Sequence, residues 1–173
     1  MENLELTLSM VKYAELHCHN YYSIKDGGMS QAQQIQRAKD LNYYAIAETN
    51  HGKMYGSYEF WKNCNATKDK HDNPLTPIKP IIGVEAYVTP SLEYLHDKTR
   101  KKRYYHMILL AKNYKGYQEL CHSTRVSERQ TFKKKPCLTE ENLKTFFSNG
   151  NLIALSACIG GYIQQLLING KYV

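Results

Sequence analysis

The stretch IIGVEAYVTP, residues 81–90, is the clearest indication of the fold, because it is an apolar run of strand length with one carboxylate, Glu85, inside it. Its isoleucine and valine content and the proline at its end predict a strand buried on both faces that Pro90 terminates. Such strands are typical of α/β proteins, in which helices cover the sheet. We therefore expect strands and helices to alternate on either side of it.

That alternation is visible along the chain. The other predicted strands are MVKYAELH (10–17), YYAIAETNHG (43–52), YYHMILLAKN (104–113) and NLIALSAC (151–158). Predicted helices are SQAQQIQRAKDLNY (30–43), SYEFWKNCNATK (57–68), Lys115 to about Arg129, TEENLKTFFSNG (139–150) and a last one in GGYIQQLLINGKYV (160–173). Five strands that alternate with helices predict a parallel α/β architecture, as an open sheet or a barrel.

Bulk composition narrows the class of protein. A chain of 173 residues with 42% apolar and 23% charged residues predicts one folded domain. No apolar run has the length of a membrane span and the amino terminus has no secretory signal, so we expect a cytoplasmic protein with no membrane partner. Five cysteines without a CxxC pair indicate reduced thiols. The net charge of +7 is concentrated in two basic runs, 97–105 and 129–136, which by themselves are typical of solvated loops.

A residue able to bind a metal lies in or beside every predicted strand. These residues are His17, His19, Asp26, His51, Glu85, His106 and Cys158. Residues i and i+2 of an extended segment point to the same side, so His17 and His19 can face one ion while Cys18 faces away. Glu85 is costly in an apolar strand unless it is paired or bound to a cation. Functional groups of parallel α/β folds gather at the carboxyl ends of the strands, which favours a joint metal site.

Each of these residues also fits a structural role when it is taken alone. Asp26 before two glycines is typical of a turn, and Cys158 of a small buried hydrophobe. We interpret His71, His96 and His122, each in a loop or a helix, as such structural histidines. The joint pattern, with one candidate at each strand, favours the metal site.

Five blocks of the sequence carry a family resemblance. They are AELHCHNYYSIKDG, AIAETNHGKMYG, KPIIGVEAYVTP, YYHMILLAKNYKGYQEL and LIALSACIGGYIQQLLING. In this order they resemble the polymerase and histidinol phosphatase (PHP) domain at the amino terminus of bacterial C-family DNA polymerases, the DNA polymerase III alpha subunits. The resemblance runs from about residue 12 to the end, which predicts an amino-terminal segment 1–11 and a PHP domain 12–173.

The resemblance implies a fold, a site and a set of partners. The fold is a distorted (β/α)7 barrel, of which this chain has the first five β/α units, with up to three divalent metals (zinc, manganese, iron or magnesium) and fewer expected here. All seven candidates match metal-ligand positions, with His17, His19 and Glu85 as the expected catalytic residues. Implied partners are DNA, as a single strand or a 3′ end, and the remaining polymerase or replisome polypeptide.

The chain departs from the family pattern in two places. Asn50 replaces the aspartate of the family's TDHG block, which removes a negative charge beside His51. The sequence also ends at Val173, before the two closing strands and their late histidine and Asp-x-His ligands. The expected barrel is therefore partial, with an open edge through which the protein can self-associate.

Three functions remain open from the sequence. The first is metal-dependent phosphoesterase or 3′→5′ exonuclease hydrolysis in DNA replication, by the amino-terminal PHP portion of a polymerase III alpha subunit. The second is a non-catalytic module that binds a replication protein. The third is a stand-alone small-molecule phosphatase.

Overall fold

The computed structural model of the protein describes residues 12–170. The expected amino-terminal segment 1–11, the start of the strand predicted from Met10 and the last three residues lie outside the described residues. No helix within residues 12–170 combines the length and the apolarity needed to cross a membrane.

The described part of the chain contains the five predicted strands and the five predicted helices, together with a short helix at Leu92–His96 and a hairpin of two short strands that were not predicted. Its strands are β1 (Ala14–Glu15), β2 (Ala45–Glu48), β3 (Lys79–Thr89), β4 (Tyr105–Ala111), β5 (Thr131–Phe132), β6 (Lys135–Thr139) and β7 (Leu152–Leu155). Its helices are α1 (Gln31–Asp40), α2 (Ser57–Cys64), α3 (Leu92–His96), α4 (Tyr114–Arg129), α5 (Glu140–Phe147) and α6 (Tyr162–Ile168). Capping boxes at Ser30 and Thr139 start α1 and α5, so both predicted helix starts are confirmed.

The sheet is mixed and not wholly parallel, so that part of the prediction is wrong. The strand order is β1-β2-β3-β4-β7; β1, β2 and β3 are parallel, but β4 is antiparallel to both β3 and β7. A parallel pair needs a long crossover connection. The connection from β3 to β4 contains only the five-residue helix α3, which is too short to carry the chain back along the sheet, so the chain turns back where β3 ends.

The hairpin of β5 and β6 was not predicted either. Phe132 pairs with Lys135, and the two residues between them, Lys133 and Lys134, have φ of 47° and 66°. A two-residue turn of this kind needs positive φ at both positions, and its usual sequence signal is Asn-Gly. Two lysines do not give that signal. β6 then pairs in parallel with the last residues of β3, where Tyr87 lies opposite Cys137.

The two faces of the sheet have different surroundings. Helices α1, α2, α4 and α5 cover one face, with Ile46 and Phe60 in one buried cluster and Leu109 and Leu120 in another. On the inner face, Leu16 beside β1 and Leu155 of β7 pack against one small cluster, although they lie at opposite ends of the strand order. The sheet is therefore curled toward a barrel, but β1 and β7 do not pair within residues 12–170.

The expected partial barrel is confirmed as an open, curled α/β sheet. Alternation along β3 directs Val84 and Ala86 to the helix-covered face and Glu85 to the inner face.

Candidate metal centre

Glu85 is the centre of the site. Its side chain is 1% exposed, and atoms of four histidines lie around its two carboxylate oxygens. Oε2 lies 3.1 Å from His17 Nε2, 2.8 Å from His19 Nε2 and 3.2 Å from His51 Nδ1. Oε1 lies 2.9 Å from His106 Nδ1. A carboxylate in an apolar strand is thus surrounded by groups able to share its charge or a cation.

His17 and His19 meet as their spacing predicts. Their Nε2 atoms lie 3.1 Å apart on the same side of the segment that follows β1. Cys18 points away from them, toward α1, where its Sγ accepts a hydrogen bond from Gln34 at 3.1 Å. Burial raises the pKa of the Cys18 thiol to about 11, which keeps it protonated. The alternation therefore separates two imidazoles from a structural thiol.

His51 joins the site directly after β2. It forms an isolated parallel bridge with Glu85, and its Nε2 lies 2.6 Å from Oδ2 of Asp26. Two backbone features hold the loop that carries Asp26: Lys25 is left-handed at φ 89°, and Gly27 lies so close to Asn20 that a Cβ would be 2.0 Å from the Asn20 carbonyl oxygen. Only glycine fits there.

His106 and Cys158 complete the set. Cys158 Sγ lies 3.5 Å from both Glu85 Oε1 and His106 Nδ1, and the left-handed residue Ala157, with φ of 60°, precedes it. His106 is the second residue of β4, and because β4 runs antiparallel to β3, its start lies beside the carboxyl ends of the other strands. All seven predicted residues therefore come together, although their metal roles stay predictions.

The Glu85 carboxyl and the histidines around it change one another's pKa. Burial by itself opposes ionisation of the Glu85 carboxyl, but hydrogen bonds from His106, His17 and His19 outweigh it and hold its pKa well below the usual range. In return, the hydrogen bond to Glu85 raises the pKa of His17. Burial lowers the pKa of His51, against the opposing attraction of Glu85. The site therefore has one fixed negative charge among imidazoles.

A buried hydrogen-bond network supports the histidines, and sequence reasoning missed it. The Ser23 hydroxyl donates to Asn50 Oδ1 at 2.9 Å, so its oxygen is free to accept from His19 Nδ1 at 2.9 Å and from the backbone N–H of His51 at 3.0 Å. Asn50 Nδ2 in turn donates to Asn20 Oδ1 at 3.1 Å. Asn50 thus acts through Ser23 and Asn20. No spacing rule singles out a serine in a loop.

A second buried carboxylate, Glu48, was also missed. It is 1% exposed at the end of β2, and its Oε1 accepts hydrogen bonds of 2.6 Å from Asn20 Nδ2 and from Gln31 Nε2. Burial raises its pKa, against those hydrogen bonds. The acid in AIAE was a visible signal, but Glu48 points toward α1, on the helix-covered side of the sheet.

The residues of the site fit a divalent metal. Two overlapping sets can each direct one donor atom to a common point: His17, His19 and Glu85, and His51, Glu85 and His106. Nδ1 of His51 is buried and faces Glu85, but it makes no hydrogen bond with the described atoms. A buried nitrogen without a hydrogen-bond partner is available to bind a cation. Neutral imidazole with carboxylate is a donor set for zinc, manganese or iron. His71, His96 and His122, which we expected to be structural, are exposed outside these two sets.

The curled sheet and the histidines clustered at the carboxyl ends of its strands place this chain in the class of α/β proteins with a candidate metal-binding centre. A family model described as the PHP domain matches residues 15–173. The chain belongs to the PHP domain family, and the resemblance seen in the sequence is confirmed.

The chain is also similar in sequence to bacterial DNA polymerase III alpha subunits. The chain is 36% identical over 162 residues to the DNA polymerase III subunit alpha of Borreliella burgdorferi, across 93% of this chain and 13% of that protein. It is 34% identical over 165 residues to the Treponema pallidum subunit of the same name, across 95% of this chain and 13% of that protein. The chain thus spans about an eighth of the length of these relatives.

Two solved structures are also similar to this chain. A metal-dependent phosphoesterase from Bifidobacterium adolescentis matches with a TM-score of 0.42 and 15% identity, over 69% of this chain and 35% of that one. An amidohydrolase from Chromobacterium violaceum matches with a TM-score of 0.44 and 19% identity, over 67% of this chain and 33% of that one.

Proposed function

We propose that this PHP domain hydrolyses phosphoesters, and phosphodiesters in particular, at a divalent-metal centre held by His17, His19 and Glu85. The observation that supports it most is the buried Glu85 carboxylate, which four imidazoles from three segments of the chain face within 3.2 Å. His51, His106, Cys158 and Asp26 complete the proposed ligand set. A metal bound there supplies a water of lowered pKa and neutralises charge on a phosphate.

The chain's own residues prepare the centre for that chemistry. Glu85 stays ionised, so it offers a carboxylate without first losing a proton. Ser23 accepts the Nδ1 hydrogen of His19, which leaves Nε2 as the metal-binding nitrogen. Asp26 accepts the Nε2 hydrogen of His51 in the same way and leaves Nδ1 free. Hydrogen bonds behind the histidines thus select the tautomer that each ligand needs.

The two donor sets have Glu85 in common, so the residues present would be able to hold more than one ion. Zinc, manganese and iron suit the nitrogen-rich set, and magnesium suits it less because it prefers oxygen ligands. The identity and number of the metals belong to this proposal.

Metal uptake and hydrolysis test the proposal together. We expect plasma emission to find stoichiometric zinc or manganese after dialysis, and the loaded protein to hydrolyse bis(p-nitrophenyl) phosphate in an EDTA-sensitive way. His17→Ala with His19→Ala should abolish both, whereas His71→Ala with His122→Ala, which removes two distant histidines, should leave both intact. A wild-type protein that takes up no metal would contradict the proposal. Hydrolysis of p-nitrophenyl phosphate but of no diester would favour the small-molecule phosphatase instead.

The similarity to DNA polymerase III alpha subunits supports a role in DNA replication. We propose that the domain acts on DNA and together with the remaining polymerase polypeptide, because 93% of this chain aligns with one such subunit. Co-purification of this chain with a polymerase polypeptide tests the association. The cytoplasmic location expected from the sequence stays a prediction.

One observation favours a non-catalytic interaction module as a second candidate. Ile163, Leu167 and Ile168 of α6 are each more than half exposed, and Ile159 before it is 72% exposed. An apolar surface of this kind is typical of a protein contact, either with a replication protein or with a second copy. The histidine double variant decides between the candidates, since a binding module keeps its partner when His17 and His19 are lost.

A further inference from the structure

The two basic runs of the sequence meet in one pocket beside the metal centre. The pocket, of about 560 Å³, is lined by Arg100, Lys101, Lys102, Arg103, Tyr104, His106, Phe132, Lys133 and Gly160. We call it the basic pocket. Its lining contains five Lys or Arg residues and no Asp or Glu. Runs that each resemble a solvated loop thus form a concave cationic surface.

Most of these cations are available for a ligand. Among the described residues, Arg100 pairs with Asp97, with Nε 2.9 Å from Oδ2. Lys101, Lys102, Arg103 and Lys133 form no ion pair with any of residues 12–170. Such a concentration of unpaired positive charge raises the local concentration of a polyanion.

The backbone and an aromatic ring hold the cations in place. Arg103 Nε donates to the Arg100 carbonyl at 3.2 Å, and its guanidinium lies 5.1 Å from the centre of the Phe132 ring. Lys133 Nζ lies 5.7 Å from the same ring centre. The two-residue turn of the β5–β6 hairpin, in which Lys133 and Lys134 are both left-handed, places Lys133 in the lining of the pocket.

The basic pocket and the metal centre share a wall. His106 lines the pocket and also contacts Glu85 in the centre. Gly160 also lines the pocket, and a Cβ there would lie 3.0 Å from His106 Nδ1 and 3.3 Å from Cys158 Sγ. The pocket and the metal centre are therefore adjacent, with His106 belonging to both.

We propose that the basic pocket binds the sugar–phosphate backbone of a single-stranded nucleic acid and leads it to the metal centre. Cations interspersed with aromatic rings, here Tyr104 and Phe132, are typical of surfaces that bind single strands. The inference rests on the proposed function and deepens it, because it assigns the residues that would hold a polynucleotide strand beside the centre.

Fluorescence anisotropy with a 5′-labelled (dT)12 oligonucleotide in EDTA tests the inference. We expect binding that weakens with salt, and for single strands each neutralised phosphate contributes about −0.7 to the log–log slope. Lys101→Glu with Lys133→Glu should weaken binding about tenfold or more at low salt and make the slope shallower by about 1.4. Lys101→Gln with Lys133→Gln, a milder pair, replaces it if a thermal melt shows that the first variant does not fold.

The matched control reverses two exposed lysines at the opposite edge of the sheet. Lys70 lies in the loop before β3 and Lys115 in the first turn of α4, and neither forms an ion pair with the described residues. Lys70→Glu with Lys115→Glu changes the net charge by the same four units and should retain most of the binding. Equal losses in both variants would overturn the inference, since net charge alone would then explain binding. So would equal binding of duplex DNA, or equal competition by poly-glutamate.

The failure of this inference is distinguishable from the failure of the proposed function. Because EDTA is present, oligonucleotide binding does not depend on a metal. A protein that takes up metal and hydrolyses bis(p-nitrophenyl) phosphate but does not bind (dT)12 overturns the strand-binding pocket alone. A protein that binds (dT)12 through this pocket and takes up no metal retains the pocket and overturns the proposed centre.

Discussion

Glu85 and Glu48 are two equally buried glutamates on neighbouring strands, and their surroundings are opposite. Each is 1% exposed. Glu85, on the inner face, has four imidazoles around it, and their hydrogen bonds outweigh burial and hold its pKa well below the usual range. Glu48, toward α1, accepts hydrogen bonds from the neutral amides of Asn20 and Gln31, and burial raises its pKa.

The difference shows that burial alone does not make a carboxylate a ligand. Removal from water opposes ionisation at both positions, and only partners able to carry positive charge reverse the balance. At Glu85 the partners are histidines, which can carry positive charge, and a bound divalent cation would supply the same positive charge. At Glu48 the amides satisfy the oxygen without neutralising it, so this residue is structural.

The largest effect is expected from Glu85→Gln. Mutation of a residue that supports the metal ligands from behind typically weakens metal binding about 10- to 100-fold. Loss of the shared carboxylate should weaken zinc or manganese binding by more than that. It should also lower the pKa of His17 toward about 6.5, because the Glu85 hydrogen bond raises it now. Metal titration and NMR titration of the His17 ring in EDTA measure the two effects. Unchanged metal affinity would show that Glu85 is not a metal ligand.

Ser23→Ala tests the support behind the same cluster. The substitution removes the acceptor for His19 Nδ1 and for the His51 backbone N–H, so we expect metal affinity to fall about 10- to 100-fold. Nitrogen NMR of His19 should show a mixture of tautomers. The matched control is Ser123→Ala, which removes a fully buried serine whose hydroxyl donates to the Leu120 carbonyl of its own helix. If the control lowers metal affinity as much, Ser23 has no special role.

Glu48→Gln and Glu85→Gln should change the pH dependence of stability in opposite directions. Because the pKa of Glu48 is raised in the fold, its contribution to stability is fully present below the unfolded pKa, about 4.3, and is lost as pH rises through the folded pKa. A neutral amide removes that loss, so the melting temperature of the variant relative to wild type should increase from pH 4 to pH 7. Glu85 has a lowered pKa, and its contribution is lost as pH falls. A Glu48→Gln difference that does not change with pH would contradict the comparison.

The smallest effect is expected from Gly160→Ala. The added Cβ would lie 3.0 Å from His106 Nδ1, so the ring has to shift by a few tenths of an ångström, and metal affinity should fall only a few-fold. Gly28→Ala is the control, since nothing lies within 4 Å of its added Cβ. Isothermal titration of both variants with manganese distinguishes them. A Gly160→Ala protein with unchanged affinity would show that the His106 ring tolerates displacement.

The sequence identified residues that are unusual where they stand. Two histidines at i and i+2, and a carboxylate inside IIGVEAYV, are recognisable because strand geometry and the cost of burial are local rules. Ser23 and Asn20 were missed because a polar residue in a loop is ordinary until its partners are known. Glu48 was equally visible as an acid in an apolar run, but which face it points to depends on the register of β2.

Spacing along the chain is enough to predict the five main strands, the helices between them, the caps at Ser30 and Thr139 and the types of donor atoms available for a metal. The direction of β4 and the position of the β5–β6 hairpin follow only from the packed fold. The direction of β4 brings His106 to the edge where the other ligands lie, and the hairpin brings Lys133 beside Arg103. Both depend on which strand lies next to which, and pairing between distant segments leaves no periodic signal in either segment alone.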